Sequence, residues 1–342
     1  MENELNDEVQ SIIYENSPIS QGVAKRLESM QADVQANLQA PMQAAMWESI
    51  QADLQAQENN FKLNIVHFKQ TDSTNNQAKL YAAKGCCDRT LFVADCQTNG
   101  KGRRGRSWLS DSGSGLWMSL LLRPDLKPEN ASMLTLVAAL AVADALENVA
   151  SKGNESKAAH AEAVGSEPQG AADSIGNETN AAGFKCSIKW PNDIVAGGKK
   201  LCGILTEMGT DRGNIDYVVI GIGINVNVRQ IPDSISETAT SLYLETGMEY
   251  EREDIIAEFI KAFEKYYKKF LENCSLRCVM EDYNNKLINR KRRVRVLGAS
   301  GELVGEALGI DETGALLVRM DDGHIENIVA GEVSVRGLYG YV

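Results

Sequence analysis

Histidine is scarce in this chain: His67, His160 and His324 are the only three in 342 residues, and none has a partner at motif spacing. Metal or triad chemistry built on histidine is therefore set aside. The seven cysteines make no paired pattern; Cys86 and Cys87 are adjacent, and Cys274 and Cys278 stand four apart. Neither spacing suits a zinc knuckle or a disulfide framework, so reduced thiols in a cytoplasmic protein are expected. There is no G-x-x-x-x-G-K-[ST], which excludes a P-loop. No Ser-His or Cys-His pairing supplies a nucleophile with its base. The first residues, MENELNDEVQ, are acidic and have no apolar core, unlike a secretory signal. No apolar run reads as long enough to cross a bilayer, so no membrane is expected. The first 60 residues hold ten acidic side chains and only two basic ones. That balance opposes a DNA phosphate backbone. Glycine is also missing from Val23 to Lys84, which removes the usual turn residue of a winged-helix hairpin.

What is present reads as a folded, soluble chain, 43% hydrophobic and 24% charged with a net charge of −12. Its length suits roughly two to three domains. Met30, Val34 and Leu38 recur every four residues, Pro41 interrupts, and Met42, Met46, Ile50 and Leu54 resume the spacing. Residues 1–60 are therefore expected to be a helical N-terminal extension, used for interaction or packing. FKLNIVHF then reads as a strand, and in the polar turn QTDSTNNQ either Asp72 or Ser73 can cap a helix beginning near Asn75. LFVADC (91–96) and the nearly continuous apolar SGLWMSLLLRP (114–124) read as strands, the second at a sheet centre. Residues 131–146 predict a buried helix. Residues 151–183, rich in Ala, Gly, Ser, Asn and Glu, predict an inserted flexible surface loop. FKCSIKW and KKLCGILTEMG predict two hairpin arms, and residues 251–271 an amphipathic helix. From Lys291 about five short strands with glycine turns predict a small closed barrel.

Two stretches concentrate chemistry. NGKGRRGRSW (99–108) sets Lys101, Arg103, Arg104 and Arg106 among Gly100, Gly102 and Gly105, in an acidic protein. Mutual repulsion means that folding gains nothing from this cluster; a pliable loop organised by an arriving anion fits it. On the loop alone, a solvated basic turn or a nucleic-acid patch fits equally. In YVVIGIGINVNV (217–228) the even positions are all Val or Ile, and the odd ones include Gly221, Gly223, Asn225 and Asn227. Period-two geometry puts these sets on opposite faces, one for the core and one bare enough for a ligand floor or for close packing. Together with the hydroxyl and amide groups of Asp-Ser-Thr-Asn (72–75), Gln97, and Lys189 and Lys200 around Trp-Pro-Asn-Asp, these point to a polyanion such as ATP. The chemistry expected is phosphoryl or nucleotidyl transfer by positioning and charge stabilisation.

At these residues the chain resembles the biotin–protein ligase family. The matching stretches are DSTN (72–75), QTNGKGRRGRSW (97–108), KWPNDI (189–194), KKLCGIL (199–205) and GIGINVN (221–227), in the family's order, over residues 61 to about 338. The resemblance implies an α+β fold: a mixed β-sheet catalytic domain related to class II aminoacyl-tRNA synthetases (61–288) and a small C-terminal SH3-like β-barrel (289–342). It implies that biotin and Mg-ATP give biotinyl-AMP, and that a lysine of the biotin carboxyl carrier domain of acetyl-CoA carboxylase or a related carboxylase then takes the biotin. The nucleophile thus belongs to the acceptor.

Carried over by position, the resemblance assigns Ser73, Thr74, Asn75 and Gln97 to the biotin head. It assigns Lys101, Gly102 and Arg103 to the loop over biotin and adenylate. Lys200 falls to the carboxylate and α-phosphate, and Arg103, Arg106, Trp108, Lys200 and Asn225 to the nucleotide. Arg103, Lys200 and Asp193 are the catalytic candidates, Asp193 for the incoming lysine or Mg2+. No metal ligands are assigned to the protein itself. Position 101 departs from the family in being lysine where arginine is usual, which keeps charge and loses bidentate geometry. The N-terminus does not resemble the winged helix of members that repress transcription. A lipoate or octanoate ligase and a biotin-responsive repressor are the alternatives, and a homodimer is compatible with the sequence.

Overall fold

A computed structural model describes residues 63–342 apart from 109, 111–112, 165–182, 299–300, 332–333 and 338–340. The expected helical extension 1–60 lies outside the described residues.

The core is a seven-stranded mixed sheet in the order β1-β2-β5-β9-β8-β7-β6. Its strands are β1 (Asn64–Thr71), β2 (Thr90–Gln97), β5 (Gly115–Leu122), β6 (Ser187–Lys189), β7 (Asp193–Ala196), β8 (Lys199–Asp211) and β9 (Asn214–Asn225). Only β1 and β2 pair in parallel; they are joined through helix α1 (Thr74–Ala83), and every other neighbouring pair is antiparallel. The alternating strand β9 is the fourth of the seven, with β5 and β8 on either side. All eight residues of β5 are buried, as its continuous apolar run requires.

The Trp-Pro-Asn turn closes one hairpin, and a second follows directly. The first joins β6 to β7 through a cis Trp190–Pro191 peptide, and the second joins β7 to β8 across Gly197 and Gly198. Both glycines have positive φ, +54° and +77°, the geometry of a tight two-residue hairpin turn. The short strand Asp193–Ala196 was hidden in the sequence because four residues carry no period of their own.

Helix α2 spans Met133–Val164. It therefore continues through residues 151–164, which their composition placed in the flexible insert. Four alanines with Lys and Glu there favour helix by intrinsic propensity, although they offer few large apolar groups. The rest of the expected insert, 165–182, lies outside the described residues. The stretch 128–153 is also long and apolar enough, by composition, to cross a bilayer, contrary to expectation; its most apolar window is 78% buried inside the protein. An all-round apolar helix is what a helix enclosed between a sheet and another helix needs.

That other helix is α4 (Arg252–Leu271), which follows the short α3 (Leu242–Thr246) and packs on α2. Its stripe of Ile255, Ile256, Phe259, Ile260, Phe263, Tyr266, Tyr267 and Phe270 is buried, each large side chain contributing roughly 1.5–3 kcal/mol. On the opposite face of the sheet, α1 closes a second core of Phe68, Ala78, Ala82, Phe92, Leu121 and Val219. After α5 (Met280–Lys286) the chain forms a five-stranded antiparallel sheet in the order β13-β12-β11-β10-β14. These strands are β10 (Arg292–Gly298), β11 (Gly301–Ile310), β12 (Leu316–Arg319), β13 (Ile325–Ile328) and β14 (Ser334–Gly337). The five expected strands are present, bulged between Ala307 and Gly309, consistent with an SH3-like barrel.

Candidate active site at the glycine floor of the sheet

On the α1 face of the sheet, β8 and β9 lie side by side with Gly203 opposite Gly223 and Leu205 opposite Gly221. The missing side chains leave a strip of bare backbone. A Cβ on Gly221 would lie 2.0 Å from Asn75 Oδ1, and Cβ atoms on Gly203 and Gly223 would lie 2.7 and 2.9 Å from the Trp108 ring. The glycines therefore do both things foreseen for this face: they admit close packing, and they floor a cleft.

Ser73 sits at the start of α1, preceding Thr74 and Asn75, and all three are buried. Gln97, at the end of β2, accepts from the Thr74 backbone N–H at 2.7 Å and from its hydroxyl at 3.1 Å, while its amide nitrogen donates to Ser110 Oγ at 3.1 Å. Beneath them Ser119 Oγ on β5 reaches both Thr74 Oγ1 at 2.7 Å and Asn75 Oδ1 at 2.6 Å. Asn75 Nδ2 donates to Glu207 Oε2 at 2.8 Å, and Lys79 Nζ holds the other Glu207 oxygen at 2.7 Å. Burial pushes the Glu207 carboxyl up, but the hydrogen bonds from Lys79 and Asn75 outweigh it and leave it below the usual range. The result is a neutral, oriented set of donors and acceptors, anchored by an ion pair from behind. Ser73 makes no side-chain cap contact. Asp72 instead accepts from the Asn76 and Gln77 side chains in the first turn.

The basic loop has a definite conformation. Strands β3 (Gly100–Lys101) and β4 (Ser107–Trp108) pair in antiparallel fashion, and Gly102 N–H donates to Arg106 C=O at 2.7 Å. Arg104 and Gly105, with φ of +58° and +71°, make the turn. Close approach explains Gly100: a Cβ there would meet Trp108 O at 2.6 Å and Ser110 Oγ at 2.7 Å. Arg103 Nη1 donates to Asn192 Oδ1 at 2.9 Å, and Nη2 donates to Gly331 C=O of the barrel. Lys101 donates to Asn76 Oδ1 at 2.7 Å, while Arg104 and Arg106 are exposed. Trp108 lies over Gly203 and Gly223, with Lys200 Nζ 5.0 Å from its ring centre. Trp108 lines the cleft, whose volume of about 50 Å³ is below the roughly 300–1,000 Å³ typical of small-molecule sites.

Comparison with known proteins gives this geometry a family. Residues 67–225 match the biotin/lipoate A/B protein ligase family, and residues 292–336 match the biotin protein ligase C-terminal domain. The chain is 34% identical over 275 residues to the bifunctional ligase/repressor BirA of Bacillus subtilis, covering 79% of this chain and 74% of that one. It is 30% identical over 268 residues to the biotin–[acetyl-CoA-carboxylase] ligase of Mycobacterium tuberculosis, covering 77% and 86%. Among solved structures, the biotin protein ligase from Aquifex aeolicus in complex with biotin and ATP superposes with a TM-score of 0.63 at 32% identity, covering 80% of this chain and 99% of that one.

The chain belongs to the biotin protein ligase family.

In this family member the cleft gathers most of the residues that the sequence proposed: Ser73, Thr74, Asn75, Gln97, Lys101, Gly102, Arg103, Trp108 and Lys200 all line it. Asn225 is not brought to the cleft; its amide donates to Thr240 C=O at 2.9 Å and braces the loop after β9. Arg106 is exposed on the hairpin rather than at the cleft wall. Asp193 lies beside the cleft, Lys200 Nζ standing 2.7 Å from its Oδ1 as an ion-pair contact rather than an aligned hydrogen bond. Sequence reasoning missed Ser119, Glu207 and Asn192. A single hydroxyl in an otherwise apolar buried strand was the available signal for Ser119. Asn192, inside the KWPND stretch, also donates to Ile204 C=O at 2.9 Å.

Lys189, the cross-strand partner of Asp193, is only 5% exposed. Burial pushes its ammonium down to about 7; Asp193 pulls it back up, while Arg336, Lys200 and Arg106 push it further down.

Two outcomes follow from this geometry. Gly221→Ala is expected to lose about 1–3 kcal/mol of stability by overpacking Asn75, measured by urea unfolding. A variant as stable as the parent would show that Asn75 is not confined. Between about 7 and the unperturbed 10.4 the unfolded chain binds a proton at Lys189 that the folded chain does not. The cost of burying Lys189 is therefore full below pH 7 and fades as pH rises. The Tm of Lys189→Met relative to the parent should be higher at pH 6 than at pH 9; a constant difference would contradict the burial argument.

Proposed function

We infer that this chain is an ATP-dependent biotin–protein ligase. A biotin carboxylate oxygen attacks the α-phosphorus of ATP, the bond to the β,γ-phosphates breaks, and pyrophosphate leaves biotinyl-AMP. An acceptor lysine amine then attacks the carbonyl carbon, AMP departs with the C–O electrons, and the amine proton passes to solvent. The observation that carries this reading is the junction, in one cleft, of the neutral network on Thr74, Asn75, Gln97 and Ser119 with the cations Lys101, Arg103 and Lys200.

In this reading the neutral network holds the uncharged ureido head. Lys200 moves from Asp193 to the biotin carboxylate and α-phosphate, and Arg103 exchanges its amide and carbonyl partners for phosphate oxygens. Trp108 leaves the glycine floor and offers its ring face to the nucleotide. Charge stabilisation of this kind contributes about 3–4 kcal/mol per well-aimed donor. A lidded cleft also protects the mixed anhydride from water. Among the described residues no three His, Cys, Asp or Glu side chains cluster as they would for a protein-held ion. Mg2+ would arrive on the triphosphate as Mg-ATP.

The acceptor proposed is a biotin carboxyl carrier domain, and seven free thiols suit the cytoplasm. The lipoate alternative is disfavoured by the C-terminal domain match. The repressor half of a relative's name is not carried over, because ten acidic against two basic residues in the first 60 oppose DNA.

Labelled biotin, Mg-ATP and a carrier domain are expected to give biotinyl-AMP and then labelled carrier. Transfer of lipoate in place of biotin would replace this reading with its neighbour. Arg103→Ala is expected to slow biotinyl-AMP formation by roughly 100-fold, the scale of one lost oxyanion donor. An unchanged rate of pyrophosphate release would take the loop out of the mechanism.

A further inference from the structure

Tyr341, beyond β14, matches none of the motifs, yet it reaches Asp193. Its hydroxyl donates to Asp193 Oδ2 at 2.6 Å, the length of a strong hydrogen bond to an ionised acceptor. Its ring lies 3.2 Å from Lys189 Nζ, so the side chain touches both residues that flank the Trp190-Pro191-Asn192 turn. Val342 beside it packs near Gly198 in the β7–β8 turn. Burial pushes the Tyr341 phenol far above its ordinary value, so it remains a proton donor to the carboxylate across the working pH range.

Asp193 thus has one partner on each oxygen: Lys200 at Oδ1 and Tyr341 at Oδ2. The reaction draws on only one of them. Once an anionic adenylate attracts Lys200, Oδ1 is released towards the cleft, and a carboxylate with no other anchor would rotate about its side-chain bonds. The Tyr341 hydroxyl keeps it from doing so. We propose that Tyr341 is a positioning residue for the transfer half-reaction, holding Asp193 so that Oδ1 meets the incoming lysine amine. This rests on the ligase reading and on Asp193 facing the acceptor.

The test compares the parent with Tyr341→Phe, Asp193→Ala and the double variant, as full-length proteins. The phenylalanine keeps the ring against Lys189 and removes only the hydroxyl. Biotinyl-AMP formation is followed by pyrophosphate release; transfer is followed separately, from preformed biotinyl-AMP to a carrier domain. Tyr341→Phe is expected to lower the kcat of transfer about tenfold, with the carrier KM and adenylate formation within about twofold of the parent. In the Asp193→Ala background it should have no further effect, because the tyrosine acts only through that carboxylate. Unchanged or faster transfer, equal losses in both half-reactions, or a further loss on top of Asp193→Ala would each overturn the proposal. A parent that makes no biotinyl-AMP would remove the ligase reading and the proposal with it. A parent that makes and transfers it while Tyr341→Phe is unaffected removes the proposal alone.

Discussion

A strip of side-chain-free backbone in the middle of the sheet is the constraint on which the rest of the site depends. Gly221 lets α1 settle so low that Asn75 Oδ1 lies where its Cβ would be, while Gly203 and Gly223 admit the Trp108 ring. Only at that depth can Ser119, a fully buried hydroxyl, reach both Thr74 and Asn75. Burying so many amide and hydroxyl groups is costly unless each is paired, and here the pairing is reciprocal from Ser110 through Gln97, Thr74 and Ser119 to Asn75 and Glu207. The network is therefore paired along its length and neutral, which in the ligase reading proposed above suits an uncharged polar head.

The charged half of the site is arranged on the opposite logic. Lys200 is paired with a carboxylate, and Arg103 with neutral acceptors that an anion can outbid. Trp108 lies over Gly203 and Gly223. In the ligase reading proposed above, these partners give way to the anionic substrate, whose phosphate oxygens offer the arginine charge-assisted hydrogen bonds in place of neutral ones.

This division also decides what was legible in the sequence. The alternation in residues 217–228 exposed the sheet centre and its bare face, because a period of two is a property of the residues themselves. The cations and glycines of 99–108 marked a loop that lines the cleft through Lys101, Gly102, Arg103 and Trp108. Composition misled at residues 151–164, where helix propensity without apolar content looked like a loop. Ser119 and Glu207 stayed hidden because their role comes from register: Ser119 stands opposite Gly221, and Glu207 lies two residues beyond Leu205, the other partner of Gly221. No local spacing encodes a contact between strands and a helix more than 40 residues away.

Tertiary placement explains the barrel's part as well. Three of its contacts fall on the two motif segments: Trp190 Nε1 donates to Gly314 C=O at 3.0 Å, Arg103 reaches Gly331, and Tyr341 reaches Asp193. Two of these three involve the segment from Trp190 to Asp193, and the third involves an arginine that itself holds Asn192 in that same segment. The turn is thereby fixed from the sheet through Asn192 and Ile204, from the loop through Arg103, and from the barrel through Trp190 and Tyr341. A shift of the barrel must therefore move either the Asp193 carboxylate or the hairpin that carries the cations. On that geometry the orientation of the small C-terminal sheet is coupled to the same turn that carries Asp193.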